Sequence, residues 1–487
     1  MVESGLLSGV AGDDPSVVVF KGVPYAAAPV GELRWRPPAP ARAWAGVRLA
    51  SAFSNSCMQE LRRSLLPWTE EYMLRNLVDE DCLALNIWAP RSAFGSAQPA
   101  LPVLVFIHGG AFSSGSGEVL LYDGEGLARK GIIVVTINYR LGVFGFFCHP
   151  ELSAESAQQS CGNYGLLDQI SALGWVKRNI AAFGGDPKQV TLGGQSAGAA
   201  SVHYLTLSPL SNGLFQRAIA QSGPFDRRTL SPARAEAEAA GAEFAGGLGL
   251  AELRALPAPA LLSKHSASGA RFRPVVDGWV VPDQPGALLA RGGSSDVPLL
   301  TGLNADERSS QKDYGKLSLS AWTDAVRSEY GELASALLAL YPASSDAEAS
   351  ERQKQLARDA GLATLLDCRQ ARARLGLSKD YGYLFERAIP WPEHPEYQAF
   401  HSGELPYVFA NLSKLDRPWQ DVDRALSEQM SNYWVNFIST GNPNGPGLPH
   451  WPSSSEQILR LGAETQASVT LAPDAARLFA QRFAASP

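Results

Sequence analysis

Two stretches of the chain, Leu101 to Ile107 and Ile132 to Ile137, are almost wholly apolar and are bounded by glycine or polar residues. They are far shorter than the roughly 20 residues a membrane-spanning helix needs, so both are expected to be strands buried on two faces. A different rhythm governs Asn163 to Phe183, where Leu166, Leu167, Ile170, Leu173, Val176 and Ile180 fall three or four apart. That spacing predicts a helix with one buried face, stopped at Phe183-Gly184-Gly185-Asp186-Pro187. A short apolar strand then runs from Gln189 into Gly194-Gln195-Ser196-Ala197-Gly198, and a small-residue helix start follows. Strand, helix, strand, serine turn and helix in succession predict an α/β fold with a mostly parallel sheet and helices on its faces.

The flanking segments fill in this frame. Up to about Arg91, period-2 patches such as Val17 to Phe20 lie among Pro24, Pro29, Gly31, Pro37, Pro38 and Pro40, which predicts short strands and turns at a sheet edge. Ser231 to about Ser263 is alanine-rich with alternating charge, the pattern of a solvated helix. Val297 to Thr301 is a strand ending at Gly302-Leu303-Asn304-Ala305-Asp306-Glu307. Trp322 to Leu375 is helical, Tyr381 to Phe385 a strand and Leu426 to Ile438 an amphipathic helix; a strand and a terminal helix close the chain. No internal repeat is present. Residues 1–487 are expected to form one domain, with insertions at about 223–295 and 308–380 shaping a substrate pocket.

Composition narrows the partners. The net charge of -6, without any run of lysine or arginine, offers nothing to a polyanion, so nucleic acid is not expected. The N-terminus lacks the basic start and apolar stretch of a secretory signal, which predicts a cytoplasmic protein, or a secreted or periplasmic one if a signal has been removed. The five cysteines, Cys57, Cys82, Cys148, Cys161 and Cys368, are odd in number and contain no Cys-x-x-Cys, so a zinc or iron–sulfur site is not expected.

The chemistry gathers around Ser196. Gly-x-Ser-x-Gly turns a strand so sharply into a helix that the serine hydroxyl stands exposed above the sheet. A serine hydroxyl is a poor nucleophile near neutral pH and needs a base, which a third group must orient. In this fold type the order is serine, acid, histidine. Asp306 and Glu307 both follow a strand, and His394, His401 and His450 lie beyond them. His401 is favoured because it occupies a small-residue turn, Ala399-Phe400-His401-Ser402-Gly403, whereas His394 is hemmed by Pro392 and Pro395. The glycine-rich loop after the Leu101 to Ile107 strand, Gly109 to Ala111, and the Ala197 N–H supply donors for a developing oxyanion.

Phe20-Lys21-Gly22-Val23-Pro24-Tyr25-Ala26, Glu80-Asp81-Cys82-Leu83-Ala84-Leu85-Asn86-Ile87, His108-Gly109-Gly110-Ala111-Phe112, Gly162-Asn163-Tyr164-Gly165-Leu166-Leu167-Asp168-Gln169 and Glu404-Leu405-Pro406-Tyr407-Val408-Phe409 span almost the whole chain. Together they resemble the type B carboxylesterases, the family of the cholinesterases and bacterial para-nitrobenzyl esterases, which have the α/β-hydrolase fold. The resemblance implies a triad of Ser196, Glu307 and His401, and oxyanion donors at Gly110, Ala111 and Ala197. It also implies ion pairs Arg34–Glu80 and Arg140–Asp168, which as surface pairs would be worth at most about 1 kcal/mol each. A disulfide between Cys57 and Cys82 would close a loop of 25 positions (82 − 57), worth about 3 to 4 kcal/mol, and leave three thiols (5 − 2).

The chain departs from the family in three places. There are no cysteines between Cys161 and Cys368 for the cholinesterases' second disulfide, and Trp68 is not where those enzymes carry their choline-binding tryptophan. The neutral Gln195 precedes the nucleophile, where the family commonly has glutamate. The implied function is a serine carboxylesterase acting on a small-molecule ester through an acyl-enzyme, with no metal or cofactor; no membrane span is expected, and of the oligomeric states, which the sequence leaves open, a monomer is favoured. The alternatives are an amidase or carbamate hydrolase on the same triad, and a non-catalytic binding protein like the family's cell-adhesion members. Arg62 and Arg63 are candidates for meeting an anionic substrate, although a solvated pair on the 57–82 loop is favoured.

Overall fold

The two uninterrupted apolar runs form central strands of an 11-stranded sheet in a computed structural model that describes residues 1–61, 64–94, 99–223, 225–226, 230–293 and 295–484. The strands of this sheet, in chain order, are β1 (Val10–Ala11), β2 (Val17–Pro24), β3 (Ala84–Pro90), β4 (Leu101–Ile107), β5 (Ile133–Ile137) and β6 (Gly185–Gln195). They continue as β7 (Arg217–Gln221), β8 (Leu299–Asn304), β9 (Asp380–Phe385), β10 (Gln457–Leu461) and β11 (Thr465–Val469). Their spatial order is β11-β10-β9-β8-β7-β6-β4-β5-β3-β2-β1. Every pairing from β10 through to β5 is parallel, and the outer pairings are antiparallel.

The absence of polar alternation in β4 has a direct cause. Val103, Val105 and Ile107 face one apolar core while Leu104 and Phe106 face the other, so both sides of the strand are dry. The helix expected over Asn163 to Phe183 runs from Tyr164 to Asn179 and tightens into a 3₁₀ turn at Ile180–Phe183, where Gly184 adopts φ +82° and ends it. The alanine-rich stretch is not one solvated helix. It forms three short helices, Arg234–Ala245, Leu250–Ala255 and Ala258–Ser268, which bury Phe244, Leu253 and Leu261 in the first core. Among the described residues no helix is long and apolar enough to cross a membrane.

The two implied ion pairs are not surface features. Arg34 grips both oxygens of Glu80 at 2.7 and 2.6 Å, and Arg140 grips both oxygens of Asp168 at 2.8 and 2.7 Å. All four residues are buried. Removing one partner therefore strands a charge in the interior, at a cost of about 3 to 5 kcal/mol rather than the surface value.

The cysteine pattern also differs from expectation. Cys57 pairs with Cys82, with Cα atoms 5.1 Å apart, but a second disulfide joins Cys148 to Cys161 at 4.9 Å, and Cys368 stands outside both. Sequence alone did not bring Cys148 to Cys161, because the segment between them, a sequence separation of 13, contains the Pro150–Glu155 helix that folds the chain back. Thiol titration of unfolded, unreduced protein is accordingly expected to find one thiol (5 − 4) instead of three, and five after reduction. Three thiols before reduction would leave the second bridge unformed.

Candidate active site

Ser196 and Ala197, the loop at 109–111 and Glu307 follow the C-terminal ends of β6, β4 and β8, and His401 lies in the segment after β9, at the end of the sheet where open α/β folds place their ligands. Ser196 is held between β6 and the helix Ala197–Leu207 with φ 58° and ψ −121°, a region that costs a non-glycine residue about 1 to 3 kcal/mol. Its N–H donates to Gln221 O at 2.9 Å, tying the turn to β7. The turn closes only because Gly194 and Gly198 lack side chains. A Cβ on Gly198 would stand 2.0 Å from Ile107 O, and one on Gly194 would stand 2.4 Å from Gly198 O.

The loop after β4 wraps beside this turn. Gly110 takes φ +112°, and a Cβ there would meet Ser114 O at 2.1 Å. Ala111 and Phe112 are also left-handed, at φ 54° and 59°. Ser113 and Ser114 N–H groups donate to Gly110 O at 3.0 and 2.9 Å, closing the loop, while among the described residues the Gly110 and Ala111 N–H groups donate to no backbone carbonyl. His108 fastens the loop from beneath. Its ring stacks on Tyr139 with centroids 4.5 Å apart, and burial pushes its pKa down to about 4 despite a bond to Gly109 O, so it is a neutral structural residue at ordinary pH.

Glu307 and His401 are brought together by a backbone contact. An isolated parallel bridge joins Asp306 to Phe400, with Asp306 N–H donating to Ala399 O at 3.1 Å, so the next residue on each segment, Glu307 and His401, stand side by side. Glu307 Oε2 lies 2.5 Å from His401 Nδ1, and its Oε1 accepts from Asn304 N–H at 2.7 Å. Asp306 turns the other way and accepts from Tyr314 Oη–H at 2.9 Å. His394 lies 3.3 Å from Glu396, and His450 is exposed; neither enters this site.

Burial disfavours the charged imidazolium of His401, but the Glu307 carboxylate, through its charge and hydrogen bond, more than offsets this and raises the pKa above the ordinary value. With Nδ1–H directed at Glu307, Nε2 accepts from the Gln195 amide at 3.2 Å, and among the described residues no hydrogen bond joins it to Ser196 Oγ. The amide is therefore the resting partner of the nitrogen that would have to receive the serine proton. Replacing it by a carboxylate favours the imidazolium, so Gln195→Glu is expected to move the acid limb of the pH profile of kcat/KM upward, by about one unit or more. An unmoved limb would show that position 195 does not couple to the ring.

Several neighbours escaped sequence reasoning. Glu404 is fully buried behind the pair, accepting from Gln221 Nε2 at 3.1 Å and from Asn304 Nδ2 at 2.6 Å. Burial, then the Glu307 charge, raise its pKa to about 7 against the lowering bond from Asn304. Only its place in a family-like stretch singled it out beforehand, without a role. Trp68, on the 57–82 loop, donates from Nε1 to His401 O at 3.1 Å and sets its ring edge-on to the imidazole. Beside the pair lies a cavity of about 530 Å³ whose lining includes His401, Glu307 and Ser222. Arg62 and Arg63 lie outside the described residues.

Comparison with known proteins identifies the family. The profile of the carboxylesterase family matches residues 2–478. The chain is 37% identical to fumonisin B1 esterase of Sphingopyxis macrogoltabida, covering 95% of this chain and 86% of that protein. It is 36% identical to para-nitrobenzyl esterase of Bacillus subtilis (90% and 89% covered) and 32% identical to human cocaine esterase (94% and 86%). A mostly parallel sheet carrying a serine turn, a glycine loop and a paired glutamate and histidine on one edge, with similarity along nearly its full length, shows that the chain belongs to the carboxylesterase family and is a carboxylic ester hydrolase.

Proposed function

We propose that ester hydrolysis by this chain runs through an acyl-enzyme on Ser196. The observation that carries the reading is the 2.5 Å contact of Glu307 with His401 Nδ1, which leaves Nε2 facing the residue next to the serine. His401 takes the proton of Ser196 as Oγ attacks the carbonyl, and returns it to the departing alcohol. Glu307 holds the tautomer and balances the imidazolium. The N–H groups of Gly110, Ala111 and Ala197 meet the oxyanion, the last at the positive end of the Ala197–Leu207 helix. A water then repeats the sequence on the acyl-enzyme. The Nε2 bond to Gln195 exchanges for one to Ser196 when substrate arrives, since catalytic hydrogen bonds often tighten only in the complex.

The pocket belongs to the same reading. Residues from both expected insertions, Asp226 from the first and Arg308, Tyr314, Arg358 and Gly361 from the second, line the cavity beside His401, which supports their role in shaping it within a single domain. The three relatives are named for three different esters, so their names do not select a substrate. A fluorophosphonate probe tests the nucleophile: one adduct on the peptide containing Ser196 is expected, with loss of ester turnover. Inhibition with the adduct on another residue would overturn the assignment.

A further inference from the structure

The cavity beside His401 carries an uneven distribution of committed charge. Arg308, Arg358 and Arg482 line it, as do Asp226, Glu307 and Glu329, so the formal charges balance. Their pairing does not. Glu307 is taken by His401 and the Asn304 N–H, Glu329 lies 3.7 Å from Arg482, and Asp226 is likewise engaged. Arg358 is fixed by its Nε bond to Ala305 O at 3.2 Å, and the carboxylate nearest it, Asp306, is 3.7 Å away and already accepts from Tyr314 on the same oxygen. Arg308 is exposed and has no ion-pair partner among the described residues.

Room and a second donor accompany these guanidinium groups. Ala357, Ala360 and Gly361 lie on one face of the Asp346–Arg374 helix and line the cavity, so that wall is stripped of bulk. Ser222, only 8% exposed, also lines the cavity, and its Oγ makes no hydrogen bond among the described residues. A hydroxyl, the Arg308 guanidinium and the Arg358 guanidinium, which is ion-paired with Asp306 at 3.7 Å but whose terminal N–H groups make no hydrogen bond among the described residues, suit a carboxylate, which a guanidinium binds through two parallel N–H donors.

Resting on the ester-hydrolase mechanism above, we propose that this cavity receives an arm of the ester that bears a carboxylate, with Arg358 and Arg308 as its counter-charges. The arm is either the acyl or the alcohol portion, and matched esters separate the two. The first pair is para-nitrophenyl hydrogen glutarate against para-nitrophenyl butyrate, and the second is 4-carboxyphenyl butyrate against phenyl butyrate. The measurement is the ratio of kcat/KM, anionic over neutral, in the parent protein and in Arg358→Gln and Arg308→Gln.

In at least one pair the parent is expected to prefer the anionic ester. Arg358→Gln is expected to lower that ratio about 10- to 100-fold, chiefly through KM, and Arg308→Gln to lower it by a smaller factor. Taking the ratio within each variant removes any general loss of folded enzyme, and the exposed Arg308 can be replaced without disturbing packing. Ratios unchanged by both substitutions, or no anionic preference in either pair, would overturn the proposal while leaving ester hydrolysis intact. Failure to turn over any of the four esters would instead remove the mechanism and this inference together.

Discussion

Ser196→Ala is expected to lower kcat on para-nitrophenyl butyrate by at least about 10⁴-fold without changing the thermal melt of the protein. The size follows from the triad logic: without Oγ no acyl-enzyme forms, and the remaining oxyanion donors and binding contacts provide only the residual acceleration. The unchanged melt follows from the backbone. Alanine keeps the same φ 58° conformation and the same N–H bond to Gln221 O, so the strain stored at the turn is retained. Ser196→Gly gives the complementary result. It is equally inactive but is expected to melt above Ser196→Ala, because glycine occupies that conformation freely, an advantage of about 1 to 3 kcal/mol that its greater unfolded-state entropy reduces. Substantial turnover by Ser196→Ala in a preparation shown to be free of parent enzyme would exclude Ser196 as nucleophile.

Glu307→Gln is the second large effect, a loss of about 10³- to 10⁴-fold in kcat. The amide can still contact the ring, but it can present its own N–H to Nδ1 and so stabilise the wrong tautomer, and it carries no charge to balance the imidazolium. The pH dependence moves in a defined direction. His401 has a raised pKa because the Glu307 charge and bond outweigh burial. Removing that charge leaves burial to dominate, the imidazole stays neutral to lower pH, and the acid limb shifts downward while the plateau falls. Asp306→Asn provides the control: its carboxylate accepts from Tyr314 and faces away from His401, so kcat is expected to remain within about tenfold of the parent. If the two substitutions exchanged their effects, the acid would be Asp306.

These expectations rest unequally on sequence and on three-dimensional structure. The β4 and β5 strands, the helix after Asn163 and the serine turn were legible because each is set by local chemistry: two dry faces, a 3.6-residue period, and glycines that a Cβ would block. The alanine-rich segment was not, because composition alone does not reveal that Phe244, Leu253 and Leu261 find a core to enter. Arg34–Glu80 and Arg140–Asp168 could be paired by resemblance, but whether they sit in water or in the interior depends on what packs over them. The Cys148–Cys161 bridge depends on a chain reversal whose sharpness no local pattern records.

By itself, the sequence determined the serine turn, the glycine loop and the class of sheet that presents them, since those features reside in adjacent residues. Its local pattern left Asp306 and Glu307 equivalent, two adjacent carboxylates after the same strand, and only resemblance favoured Glu307. The tertiary structure supplies the physical difference between them: the backbone bridge from Asp306 to Phe400 sets the register of two segments nearly a hundred residues apart, turning one carboxylate to His401 and the other to Tyr314. The same register buries Glu404 behind the pair and opens the arginine-lined cavity beside it. Long-range pairing of this kind has no periodicity to read, because it is fixed by packing between segments rather than by the residues within either one.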